Sequence, residues 1–103
     1  MRILITATLD TDKANAAMKA GTFDATIGQI LEDADPEAAY FGVKDGRHTA
    51  YLVVEMSEPS QLLAIAEPFF YAFGASISDA VVMVADDLQK AGPSIGAAAE
   101  KYG

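Results

Sequence analysis

Cysteine is absent from these 103 residues, and so is tryptophan. Without cysteine there are no disulfides, no thiolate nucleophile and no Cys-based zinc site, a composition that fits a reducing cytoplasm. Histidine occurs once, at position 48, and no Asp or Glu stands at ligand spacing around it, so it makes a poor metal or haem ligand. Basic residues are scarce: 7 Lys and Arg stand against 15 Asp and Glu, for a net charge of −8. Phosphate backbones are held by clustered Lys and Arg, so this balance argues against nucleic acid and against an anionic membrane surface. Long apolar runs are missing too, none approaching the roughly 20 residues of a membrane span. The opening Met1-Arg2-Ile3-Leu4-Ile5 is too short an apolar run for a signal peptide and has no small-residue cleavage site after it. Gly92-Pro93-Ser94-Ile95-Gly96 lacks the lysine and the preceding strand of a phosphate loop. The expectation is a single cytoplasmic domain over 1–103, with no cofactor and no metal.

What is present is apolar residues, at 51% of the chain, too many for a disordered segment. The clearest local signal is Asp45-Gly46 between two β-prone runs, which predicts a β-hairpin with a type I′ turn. A two-residue loop pairs Lys44 with Arg47. Counting outward, Val43 then faces His48, Gly42 faces Thr49, Phe41 faces Ala50, Tyr40 faces Tyr51 and Ala39 faces Leu52. One face of the hairpin collects Ala39, Phe41, Val43, Ala50, Leu52, Val54 and Met56 and should pack under helices. The other collects Ala38, Tyr40, Arg47, Thr49, Tyr51, Val53 and Glu55. A one-residue slip would destroy this sorting.

Around the hairpin, Arg2 to Leu9 reads as a strand. Asp10, Thr11 and Asp12 are N-cap candidates for a helix through Ala20. Gly21 interrupts that helix, and Thr22 or Phe23 restarts it with a stripe of Phe23, Ile27, Ile30 and Leu31. It should end near Ala34, ahead of Asp35-Pro36. After the hairpin, Ser57 or Glu58 is expected to cap a helix with Pro59 near its first position. Leu62, Ala66, Phe69 and Phe73 form its stripe, with Phe70 counted in the same aromatic core. Pro68 predicts a kink or a break into two helices. Gly74 ends this segment. A fourth strand lies within Ala75 to Ala85, centred on Ala80 to Val84. Asp86-Asp87-Leu88-Gln89 reads as a capping box, and Pro93 starts a final helix towards Tyr102.

The order is therefore β-α-β-β-α-β with a helical tail, an α+β, ferredoxin-like antiparallel sheet with its two main helices on one face. The first and fourth strands are apolar on both faces, as buried strands are. Helices on one side leave the other to be covered by the tail or by a second copy. On this topology, and on Pro36-Glu37-Ala38-Ala39-Tyr40-Phe41, Ile65-Ala66-Glu67-Pro68-Phe69 and Asp87-Leu88-Gln89-Lys90-Ala91-Gly92-Pro93, the chain resembles the dimeric α/β-barrel superfamily and, within it, short uncharacterised bacterial proteins. The resemblance implies two subunits packed sheet to sheet, often around a pocket. Superfamily members include cofactor-free monooxygenases, chlorite dismutase-like haem proteins and stress-responsive proteins, and fold alone does not choose among these activities.

Several residues are candidates for chemistry. His48 is either a general base or a solvated histidine at the hairpin tip. Glu55 is a general base if a partner sheet desolvates it, or a strand-end carboxylate in water or in an ion pair. Tyr40 and Tyr51, with Thr49 and with Thr6 and Thr8 of the first strand, would line a site for a small apolar or aromatic ligand carrying one or two polar groups. The same set reads equally well as a dimer interface, where tyrosine is enriched. The acidic cluster Glu32, Asp33, Asp35 and Glu37 reads as a solvated helix end, since its spacing is not that of a calcium loop.

Three functions follow: a homodimeric small-ligand binding protein, a cofactor-independent monooxygenase or isomerase using the same pocket, or a structural assembly module.

Overall fold

Strand β1 (Arg2–Thr8) turns Ile3, Ile5 and Ala7 to the core and Leu4, Thr6 and Thr8 to the other face, and it lies in the interior of the sheet. The computed structural model describes residues 1–103. Its four strands, β1, β2 (Ala38–Lys44), β3 (Arg47–Glu55) and β4 (Ser76–Val81), form one antiparallel sheet in the order β2-β3-β1-β4. Five helices complete the chain: α1 (Thr11–Ala20), α2 (Phe23–Ala34), α3 (Gln61–Phe73), α4 (Ala85–Lys90) and α5 (Gly92–Tyr102). The succession is thus not a plain β-α-β-β-α-β. Two helices, not one, link β1 to β2, and two more follow β4.

The hairpin pairs as its turn dictates. Asp45 and Gly46 take φ of 53° and 74°, the left-handed values a type I′ turn needs. The ladder runs from Lys44 opposite Arg47 to Ala38 opposite Val53, without a bulge. Parity then sends Ala50, Leu52 and Val54 into the core beside Ile3, Ile5 and Ala7 of β1. Ile30 of α2 and Ile65, Phe69 and Phe73 of α3 pack on that face, and the Phe23 and Phe73 rings meet at 5.2 Å.

Local chemistry sets the helix ends. The Asp10 carboxylate accepts from the Lys13 backbone N–H at 3.1 Å and so caps α1. Gly21, at φ 75°, closes α1 in the left-handed conformation, and the chain turns into α2. Asp35 ends α2 at φ 45°, with its N–H on the Leu31 carbonyl at 2.9 Å.

Several sequence expectations need correction. Neither Ser57 nor Glu58 caps α3. Residues 57–60 form a turn, and the Gln61 side-chain oxygen reaches back to accept the N–H groups of Ser57 at 2.7 Å and Glu58 at 3.0 Å. Pro68 does not split α3, which runs unbroken from Gln61 to Phe73. Ile65 and Ala66 before the proline and Phe69 and Phe73 after it are buried on one face, so packing on both sides holds the helix across the missing hydrogen bond. Phe70 lies outside that stripe and is exposed. β4 begins and ends earlier than its hydrophobicity suggested, so Met83 and Val84 lie beyond the strand. It is also an edge strand rather than a buried one: β1 covers one side, and nothing pairs with the other. The N-cap of α4 is Val84, whose N–H donates to the Asp87 carboxylate at 3.2 Å; valine has no acceptor to return the bond, so half a capping box forms, offset from the expected Asp86–Gln89. Phe41 and Val43 face the helix side as parity demands, yet they are 56% and 72% exposed. The helices cover β1 and β3, and of the outer strand β2 only the Ala38–Ala39 end is partly covered, with Ala39 packed against the core.

The helical tail does not cover the open sheet face, for α4 and α5 bury no residue at all. The radius of gyration is 17.1 Å, against about 13 Å for a compact chain of this length. The long axis measures 59 Å and the shorter ones 27 and 21 Å. A helical segment of the length of α4 and α5 together adds roughly 27 Å at 1.5 Å per residue, enough to account for most of that elongation.

Candidate functional site: the uncovered sheet face

The face away from the helices is ordered in cross-strand rows. Tyr40 stands opposite Tyr51, Tyr51 opposite Thr6, and Thr6 opposite Ser78. This row crosses all four strands. On one side of it lies the row Gly42, Thr49, Thr8 and Ser76, and on the other the apolar row Ala38, Val53, Leu4 and Ala80. The outcome is a hydroxyl-bearing band beside an aliphatic one, with two phenol rings at the β2–β3 side.

Position in the sheet decides exposure. Thr6 and Thr49, on the inner strands, are shielded by neighbours to left and right and are buried. Tyr51 is half-buried, and Tyr40, on the outer strand, is 66% exposed. Thr49 Oγ1 donates to the Arg47 carbonyl at 3.0 Å, while Arg47 Nε donates to the Leu9 carbonyl at 2.9 Å. That bond ties the root of β3 to the end of β1 and takes Arg47 away from the face. The two tyrosine hydroxyls make no hydrogen bond to Thr6 or Thr8 within the chain and are free for another partner.

All five sequence-predicted ligand contacts, Thr6, Thr8, Tyr40, Thr49 and Tyr51, fall on this face. Ser76, Ser78 and Gly42 join them and were missed. Ser76-x-Ser78-x-Ala80 alternates with the period of a strand, a signal that emerges only once β4 is started at Ser76. The two catalytic candidates lie away from the tyrosine row, only Glu55 sharing its face. His48 points to the helix side, opposite Val43, and is exposed. Glu55, at the far end of β3, is exposed and paired with the Met1 amino group, which also donates to the Met56 carbonyl at 2.8 Å. His48 and Glu55 are therefore on opposite faces and at opposite ends of one strand and cannot act on the same group. Beside Glu55, Arg2 is held by Glu37, whose hydrogen bond and charge raise the arginine pKa above its usual value. Asp87 stands 3.9 Å from the same guanidinium. Glu37 is thus committed to an ion pair, and no three of the acidic and histidine side chains gather as metal ligands.

No hollow of the single chain is lined by the row of Tyr40, Tyr51, Thr6 and Ser78. The largest hollow, about 480 Å³, opens on the other face, where Leu9, Met18, Phe23, Ile27, Phe41 and Val43 line a groove left by the uncovered part of β2, with Asp24 and His48 beside them.

No family model matches the chain, and no curated protein matches it. Among solved structures it is similar to 5-chloro-2-hydroxyhydroquinone dehydrochlorinase from Burkholderia phenoliruptrix AC1100, in complex with 2,5-dihydroxybenzoquinone. The TM-score is 0.61 at 15% identity, over 84% of this chain and 98% of the other. What the two share is a fold. A ferredoxin-like α/β arrangement fits both that likeness and the strand order β2-β3-β1-β4. A de novo designed protein, Ferredog-Diesel, is similar at a TM-score of 0.46 and 10% identity, over 79% of this chain and 85% of its own. No helix is long and apolar enough to cross a membrane.

Proposed function

We propose that this chain is a homodimeric binding protein of the dimeric α/β-barrel kind, holding a small flat ligand between two apposed sheet faces. The observation that carries this reading is the row Tyr40–Tyr51–Thr6–Ser78 on a face that no helix covers. Two phenol rings supply stacking surface, and the hydroxyls of Thr6, Thr8 and Ser78 supply hydrogen bonds for one or two ring oxygens.

The need for a partner is supported by area. A folded monomer of 10.8 kDa exposes roughly 5,500 Å². This chain exposes 6803 Å². The excess, roughly 1,300 Å², is more than the about 800 Å² that each partner buries in a standard interface. A protein of the same fold binds 2,5-dihydroxybenzoquinone, a flat ring with oxygen substituents of the class the hydroxyl band would suit. Binding is preferred over catalysis because neither candidate stands by the tyrosine row: His48 is on the other face, and Glu55, though on the same face, lies at the far end of β3 in an ion pair with the Met1 amino group. A cysteine-free chain with no membrane-crossing helix fits a cytoplasmic role.

The test is sedimentation together with calorimetric titration of 2,5-dihydroxybenzoquinone and hydroquinone. A dimer that binds either compound, with affinity at least tenfold lower in Tyr51→Ala, is the expected result. A dimer that binds neither leaves the assembly-module reading in its place. Turnover of either compound that survives Tyr51→Ala would overturn the choice of site.

A further inference from the structure

Two apolar surfaces remain uncovered in this chain, one a helix and the other a groove. The first is α5. Helices of 11 residues are marginal in water and are normally held by packing, yet α5 buries none of its residues. Ile95, Ala98, Ala99 and Tyr102 recur at i, i+3, i+4 and i+7, the spacing with which a helix is anchored in an apolar groove. Ile95 and Tyr102 are both exposed, and the two alanines between them allow close approach. The second surface is the groove of about 480 Å³ on the helix side of β2. The outer strand presents Phe41 and Val43 there with no helix over them.

The tail cannot fill its own groove. It leaves the sheet from β4, and the groove lies over β2, at the opposite edge. A second copy removes this obstacle. When two sheets of order β2-β3-β1-β4 stack face to face about a two-fold axis parallel to the strands, β4 of each lies over β2 of the other. Stacked sheets are about 10 Å apart, and the tail is roughly 27 Å long. The tail leaving β4 therefore arrives beside the partner's outer strand and is long enough to turn over that edge onto its helix side.

We propose that α5 of each copy docks, through Ile95, Ala98, Ala99 and Tyr102, in the helix-side groove of its partner, so that the dimer is locked by reciprocal exchange of C-terminal arms. This rests on the face-to-face dimer proposed above and adds to it a second contact, away from the tyrosine face. The arm closes over Phe41 and Val43, residues on the same strand as Tyr40, and so braces the β2 edge of the ligand site.

The absence of native cysteine makes the test direct. Full-length Ala98→Cys and Val43→Cys chains are mixed one to one and treated with a short bis-maleimide. Covalent heterodimer from the mixture, in large excess over either variant alone, is expected. Ile95→Asp should abolish that product and raise the dimer dissociation constant at least tenfold, with Val43→Asp doing the same. Both positions are exposed in the single chain, so both variants should fold. Cross-linking within one chain of the double variant, as monomer, would overturn the exchange. So would a dimer that forms no cross-link and is indifferent to Ile95→Asp, while leaving the face-to-face dimer standing. A wild-type monomer at micromolar concentration would overturn both.

Discussion

Tyr40 and Tyr51 stand directly opposite each other across the β2–β3 ladder, on the side of the sheet that no helix covers. The relationship descends from two residues. Asp45 and Gly46 take left-handed conformations, their two-residue turn sets the register, and parity places both rings on one face. His48 lies on the other face by the same count, so one turn brings the phenols together and removes the imidazole from them.

The tyrosine pair yields a measurement that separates monomer from dimer. In a single chain Tyr40 is mostly in water, and truncating an exposed side chain usually costs within about 0.5 kcal/mol. Between two sheets the same Tyr40→Ala change removes a buried aromatic and should cost roughly 3 kcal/mol. Urea denaturation of wild type and Tyr40→Ala at two protein concentrations is expected to give the larger value, with midpoints that rise with concentration. A small, concentration-independent loss would contradict the packing of the two faces.

Pro68→Ala is expected to stabilise the chain. α3 is already continuous through position 68, so alanine restores the N–H to the Ala64 carbonyl without moving the stripe of Ile65, Ala66, Phe69 and Phe73. Proline inside a helix costs on the order of 3 kcal/mol relative to alanine, and a gain of about 1–3 kcal/mol in thermal or urea unfolding is the expected outcome. Loss of stability would mean that the proline-shaped helix is what fits the sheet.

Gly46→Ala should destabilise. Gly46 sits at φ 74°, where a β-carbon is strained even though open space surrounds the position. The strain is worth about 1–2 kcal/mol. The spectroscopic signature of the sheet should survive while the urea midpoint falls. Gly28→Ala on the exposed side of α2 has an ordinary φ and open space, and it serves as the control. An equal loss at both positions would show that the turn does not carry the register.

The hairpin was legible because its information is local: two turn residues and a period of two decide the pairing of fourteen neighbours along the ladder. The same holds for the Asp10 cap, the Gly21 and Gly74 helix stops and the five face residues Thr6, Thr8, Tyr40, Thr49 and Tyr51. What local pattern could not show was which strands end up at the edges and how far the helices reach. Phe41 and Val43 have the parity of core residues, yet only the lateral position of α1 and α2 decides that they stay bare. Ser76 and Ser78 joined the site because β4 pairs with β1 in one register, a contact between residues some seventy positions apart in the chain. Pro68 shows the reverse case. Its local preference is to break a helix, and burial of the stripe on both sides of it, a property of the packed molecule alone, overrides that preference.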